Sequence, residues 1–213
     1  MMALGHMRGG ETMERPAETK FQVLELIKRR WSPRAFSGRP IEKSTLQSLF
    51  EAARWAASSY NEQPWVFLVA TKDDTENYGK MLQCFVEGNQ AWAKLAPVIG
   101  LSVAKLNFAK NNKPNRHAFH DVGLAMGNLI VEATARGLFV HQMAGIEVEK
   151  ARQIWGIPGG YEAVAGFAFG YYGDAKDLPS PWKERETAER SRKPLEEMVF
   201  TGGWGESSNL IKS

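Results

Sequence analysis

Residues 29–40, RRWSPRAFSGRP, hold four arginines, two serines and two prolines in twelve positions. Guanidinium groups that dense, just after an apolar, helix-like stretch, have two readings. They form a solvated face that complements the dipole at a helix C-terminus, or they converge on an anion. Two further arginines, Arg190 and Arg192, stand far along the chain in RSRKPL. A second polar stretch, Ala57-Ser58-Ser59-Tyr60-Asn61-Glu62-Gln63-Pro64-Trp65, supplies hydroxyls and amides. Ser, Asn and Pro there would also suffice for a plain turn.

Other groupings point to less. His117, His120 and Asp121 share a helical face at i, i+3 and i+4. No further ligand is identifiable, so a surface or packing role is expected and no metal. Cys84 falls on an apolar helix face with nothing near it to lower a thiol pKa, and is expected in the core. GIPGGY at 156–161 has the glycines of a nucleotide loop but follows a helix and precedes a strand, the wrong context for a dinucleotide fingerprint. No Gly-x-Ser-x-Gly elbow is present.

The elements that must position these groups can be read from periodicity. Phe21, Leu24 and Ile27 predict a first helix over residues 19–30, ended by Pro33. Leu46, Leu49, Phe50, Ala53 and Ala57 predict a second over 43–57. Strands are expected at 65–70, 96–103, 138–142 and 161–172, and helices at 73–85, 117–136 and 147–155. Gly137 would cap the longest helix, and Gly123 and Gly127 leave room on it for another backbone. Helices and strands alternate in a mixed α and β domain.

The 213 residues fit one sizeable domain, or at most two small ones, and a composition 43% apolar and 24% charged can bury a core. Residues 1–18 are read as a disordered leader, since they lack the apolar segment of a secretory signal. Residues 19–200 form the domain and 201–213 a tail. From residue 173 onward turn residues recur, and that stretch needs another surface to lie on. No apolar run approaches the roughly 18 residues that cross a bilayer, so no membrane span is expected. The net charge of +3 is spread among interleaved acids and bases, which argues against nucleic acid as a partner. The basic stretch NFAKNNKPNR at 107–116 is read as a solvated loop. With a single cysteine, a reducing cytoplasmic location is expected.

Four stretches, RRWSPRAF, AASSYNEQPW, HQMAG and RSRKPL, together resemble the nitroreductase family of FMN-dependent oxidoreductases over about residues 20–200. Ala57 stands where the family pattern has proline. The resemblance implies an α+β nitroreductase fold, with a mainly antiparallel central sheet flanked by helices in an intertwined homodimer. It implies that Arg30, Arg190 and Arg192 hold the FMN phosphate, beside Trp31. Ser32 and Arg34 would contact the ribityl chain and the pyrimidine edge of the ring. Ala57, Ser58, Ser59, Asn61 and Gln63 would reach the flavin across the dimer interface. Asn89 would lie at the ring, and the backbone of Gln142, Met143, Ala144 and Gly145 would face it. The function implied is ping-pong transfer of electrons from NAD(P)H to a small acceptor such as a nitroaromatic or quinone, with no catalytic side chain, because the cofactor carries the chemistry. A dehalogenase, an enone reductase or a flavin-consuming oxygenase on the same scaffold, and a non-enzymatic flavin-binding protein, remain alternatives.

Overall fold

The computed structural model describes residues 15–212. Its centre is a four-stranded sheet in the order β1-β2-β4-β3, formed by β1 (Trp65–Thr71), β2 (Val98–Lys105), β3 (Phe139–Met143) and β4 (Tyr161–Gly170). Every pairing is antiparallel, and a bulge interrupts β2–β4 between Ser102 and Val103. Period-2 alternation sends side chains to two cores. Leu68, Ala70, Ile99 and Leu101 join Met81, Phe85 and Trp92 on one face. Phe67, Val69, Val98, Phe167 and Phe169 join Leu49, Ala53, Ala125, Met126 and Leu129 on the other.

That second face is covered by α2 (Lys43–Arg54) and α5 (Ala118–Ala135). The first is covered by α3 (Thr75–Leu82), α4 (Glu87–Ala93) and α6 (Val148–Trp155). Asp74 caps α3 by accepting the Asn77 N–H, and Gly137, at φ 72°, follows the end of α5. The fold is therefore α+β with a fully antiparallel sheet, as expected.

Three departures from the sequence reading have physical causes. The first helix, α1, is only Glu25–Arg29 and buries nothing. Phe21, Leu24 and Ile27 are 43%, 73% and 46% exposed, so their spacing marks an outward apolar face. The segment Glu87–Ala93 forms α4, an element not anticipated, because only its Trp92 and Ala93 are buried. The chain after residue 173 finds much of its surface within its own domain. It includes a further helix, α7 (Trp182–Glu186), and buries Leu178, Glu186, Ser208 and Ile211. Residues 1–14 of the expected leader lie outside the described residues. Ala17 is bonded to the domain, its N–H donating to the Lys28 carbonyl at 2.9 Å.

The turn that follows α1 is laid along the end of β4. Phe36 bridges to Tyr172, the Ser37 N–H donates to the Tyr171 carbonyl, and the Gly173 N–H donates to the Ala35 carbonyl. Gly173 permits this approach: a Cβ there would stand 2.7 Å from the Phe36 carbonyl carbon and oxygen and 2.8 Å from the Ser37 nitrogen. Backbone cannot swing aside as a side-chain tip can. Gly173→Ala should therefore destabilise the protein by about 1–3 kcal/mol through overpacking, outweighing the few tenths to about 1 kcal/mol that stiffening the unfolded chain would return. Urea denaturation measures it; an unchanged or raised midpoint would refute the close approach.

Candidate functional site

The turn Arg30–Ala35 is gripped from two directions. Below it, His141 of β3 bonds the Pro33 carbonyl through Nδ1 at 2.9 Å. A carbonyl oxygen only accepts, so the proton resides on Nδ1. From the other side, the buried carboxylate of Glu186 in α7 accepts the Arg34 N–H (3.0 Å to Oε1, 2.9 Å to Oε2) and the Ala35 N–H (3.1 Å). The Trp31 ring is packed inward against Phe139 and Tyr172, with its centroid 5.8 Å and 5.4 Å from theirs. Its side chain thus belongs to the framework under the turn.

The arginines read from distant parts of the sequence meet here. Arg190 donates to the carbonyls of Arg30 (2.8 Å), Lys28 (3.2 Å) and Arg15, so its guanidinium stitches residues 15, 28 and 30 together. Arg30 Nη1 donates to Ser32 Oγ at 3.3 Å. Burial, and then the positive charge of Arg192, depresses the pKa of Arg30. Burial likewise depresses that of Arg190, followed by the charges of Arg30, Arg192 and Arg15. Among the described residues, no ion pair reaches Arg30, Arg190 or Arg192. Arg30 and Arg190 are half-buried in this like-charge group, and Arg192 is exposed at its edge, donating to the Ser191 carbonyl at 2.7 Å.

Arg34 points elsewhere. Its guanidinium lies over the rings of Trp182 (4.9 Å) and Trp92 (5.9 Å). Its buried Nε has no hydrogen-bond partner among the described residues. Desolvation lowers its pKa, Glu186 raises it and Arg185 lowers it again. Beneath Arg34, His141 packs 4.5 Å from the Trp92 ring. Burial, with the Arg34 charge second, pushes the imidazole down to about 4, so it is neutral at physiological pH.

Asn89 and Gly145 form a second local unit. The Asn89 amide and the Val86 N–H both donate to the Gly145 carbonyl, at 3.0 Å and 3.1 Å. A Cβ on Gly145 would come within 2.6 Å of Asn89 Nδ2, so only glycine leaves that amide in place. Of the neighbouring residues, Gln142 and Ala144 are exposed and Met143 is buried.

The loop at 57–63 is not joined to the arginine cluster by any hydrogen bond or ion pair among the described residues. It is anchored on α5 instead, where buried Asp121 accepts the Ser59 N–H at 2.9 Å. Ser58 Oγ accepts the Gln63 N–H, and the Gln63 amide donates to the Asn61 carbonyl. Tyr60, Asn61 and Gln63 all have positive φ, and the Tyr60 side chain is 90% exposed. Three left-handed non-glycine residues in four positions are costly, of order 1–3 kcal/mol each, and such strain clusters at binding sites. Asp121, considered above as a metal ligand, is committed to this loop and to His120 Nδ1.

His141, Glu186, Trp92 and Trp182 escaped the sequence reading. The immediate signal for His141 was there, since it opens HQMAG; what it touches was not. The arrangement fits a cofactor that combines an anion with a planar polar ring: guanidiniums lacking a carboxylate, an orphaned buried Nε, and a glycine–asparagine cradle.

Known proteins agree with this architecture. The Nitroreductase family profile matches residues 27–171. A crystal structure of an oxidoreductase containing FMN superposes with a TM-score of 0.84 at 32% identity, over 94% of this chain and all of the other. A nitroreductase family protein of Clostridium difficile 630 shares the fold (TM-score 0.66, 22% identity, covering 86% of this chain and 99% of the other). Among curated proteins, one from Mycolicibacterium smegmatis, an uncharacterized 15.4 kDa protein, is 38% identical over 96 residues. That match spans 45% of this chain and 65% of the relative. An Archaeoglobus fulgidus protein, provisionally named NADH dehydrogenase/NAD(P)H nitroreductase, is 29% identical over 74% of this chain and 89% of its own length. The chain belongs to the nitroreductase family of FMN-dependent oxidoreductases.

The neutral imidazole under the turn has a pH signature. Its pKa in the folded protein is below the ordinary value of 6.5, so protons favour the unfolded chain. The stability it supports is complete above about pH 6.5 and is lost as pH falls toward about 4. His141→Asn keeps an N–H donor and removes the titration. The fall in thermal midpoint between pH 6.5 and 4 should become shallower in this variant. An identical slope would show that His141 titrates normally.

Proposed function

We propose that this chain binds FMN at the arginine cluster and uses it to pass electrons from NAD(P)H to a small electron-poor acceptor, such as a nitroaromatic or quinone, in ping-pong order. The observation that carries this reading is the convergence of Arg30, Arg190 and Arg192 with no carboxylate partner among the described residues. A phosphate dianion relieves that repulsion and meets N–H forks suited to its oxygens. When bound, the cofactor supplies a ring that accepts and returns two electrons with a proton.

The protein's part is to hold and to orient. Arg30, Arg190 and Arg192 neutralise the phosphate. Ser32, already bonded to Arg30, offers its hydroxyl to the ribityl chain. Arg34, held between two tryptophans with its Nε free, donates to the pyrimidine edge and places positive charge where the reduced ring carries negative charge. Asn89 and the backbone at 142–145 line the ring. No side chain is required to move a proton in the chemical step.

The site is completed by a second copy of the chain. Ala57, Ser58, Ser59, Asn61 and Gln63 lie on the strained loop anchored to α5. Phe119, Gly123, Leu124 and Gly127 form an exposed face of that helix, and beyond the helix's own adjoining backbone no described atom lies within 4 Å of where a Cβ on either glycine would stand. A facing α5 covers that stripe and carries each loop to the other subunit's flavin. Leu24, Met198, Trp204 and Leu210 are exposed as well.

The arginines provide the test. Arg30→Ala should weaken FMN binding by about 2 kcal/mol, the scale of a hydrogen bond to a charged group. Arg30→Ala and Arg192→Ala together should cost less than the sum of the two, because either change compromises one shared site. Riboflavin, which lacks the phosphate, should bind weakly and be nearly indifferent to both. Fluorescence titration of the singles and the double with both ligands measures this. Strict additivity for FMN, or equal losses for riboflavin, would mean that the arginines do not share a phosphate.

A further inference from the structure

We propose that Glu186 is the positioning residue that assembles the anion cluster, its carboxylate docking the segment that delivers Arg190 and Arg192 onto the turn that bears Arg30. The inference rests on the phosphate reading above and adds to it the device that makes the cluster possible.

The problem is one of like charges. The charge of Arg192 disfavours the charged forms of Arg30 and Arg190, and that of Arg30 disfavours the charged form of Arg190, so the segment carrying Arg190 and Arg192 lies on the turn against a repulsion that other contacts must oppose. Some contact must oppose that push without neutralising the guanidiniums themselves, or the site would no longer attract a phosphate. Glu186 meets both conditions. Its side chain is 1% exposed, and its two oxygens make three close contacts to the backbone N–H groups of Arg34 and Ala35. It takes no guanidinium from the cluster. It lies four residues before Arg190, so fixing it fixes the path of the chain that follows. A buried carboxylate held by backbone N–H groups is strongly bound, because leaving it unpaired would carry the full desolvation penalty of a charge.

The same few residues are gripped a second time. The Arg15 guanidinium donates to the carbonyls of Glu186, Thr187 and Ala188 and lies 5.0 Å over the Trp31 ring. The clasp thus reaches from α7 to the turn through Glu186 and back from the turn's own Trp31 through Arg15. Arg190 closes it by donating to the Arg30 carbonyl. The hydrogen bonds of Glu186 to positions assigned to the flavin are all to backbone, and its charge also favours the charged form of Arg34.

The test asks whether Arg192 depends on Glu186. In the parent, Arg192→Ala should weaken FMN binding on the order of tenfold. In a Glu186→Ala background the same change should cost within about twofold, because Arg192 is already displaced. Hydrogen exchange of the flavin-free protein, followed by mass spectrometry on residues 31–36, should accelerate in Glu186→Ala. If Glu186→Ala does not fold, Glu186→Gln keeps the volume, removes one acceptor oxygen and should move both readouts in the same directions by less. An Arg192→Ala cost that is equal with and without Glu186 overturns the proposal, since a residue that merely stabilises the fold would leave that cost unchanged. Unaltered exchange at 31–36 overturns the docking itself. Accelerated exchange in a protein whose parent is indifferent to Arg192→Ala overturns the phosphate reading, and Glu186 is then a folding residue alone.

Discussion

Repulsion among guanidinium groups is the constraint around which this end of the molecule is organised. Burial strengthens the opposition between like charges, and solvent weakens it for the exposed Arg192. The protein tolerates the cluster because backbone carbonyls take up the N–H donors of Arg190 and Arg15. Glu186 holds the segment from outside the cluster. What remains is charge whose natural counterpart is an anionic ligand. Stability given up locally for binding is the usual relation between a site and its scaffold.

The sheet explains why the compromise holds its shape. The turn at 30–36 extends the end of β4 through Phe36 and Tyr172, while β3 places His141 directly under Pro33. Both strands are packed on two faces by separate cores, so neither can drift. Rigid strands carry the positions that must be fixed, and short irregular segments carry the arginines. The loop at 57–63 follows the same plan in another place. Strained backbone is held by one buried carboxylate, Asp121, on the longest helix of the described residues. Twice, then, a buried carboxylate bonded to backbone N–H groups fixes a loop that carries candidate cofactor contacts.

How much of this was legible in the sequence depends on the range of the interaction. The strands and α5 were visible because hydrophobic alternation and helical spacing are local patterns that burial enforces. Helix α1 was overdrawn because an apolar face looks the same whether it meets a core or lies exposed, and Leu24 and Ile27 lie exposed. Arg30 and Arg192 could be paired across the chain through a family resemblance, and the structure brings them within electrostatic reach. Glu186 could not. Nothing in WKERETAER marks one glutamate as buried, since its partners are N–H groups about 150 residues away that any sequence would possess. Backbone acceptors and donors have no sequence signature, and the clasp is made mostly of them.

The central claim is that the cluster is a site for an anion and not a source of stability. Thermal melting of Arg192→Gln with and without excess FMN tests it most directly. Removing one of several like charges should leave the flavin-free midpoint unchanged or raised, while the increase in midpoint produced by FMN should shrink markedly from that of the parent. A lower flavin-free midpoint together with an undiminished FMN shift would contradict the account, because Arg192 would then be supporting the fold and not the ligand.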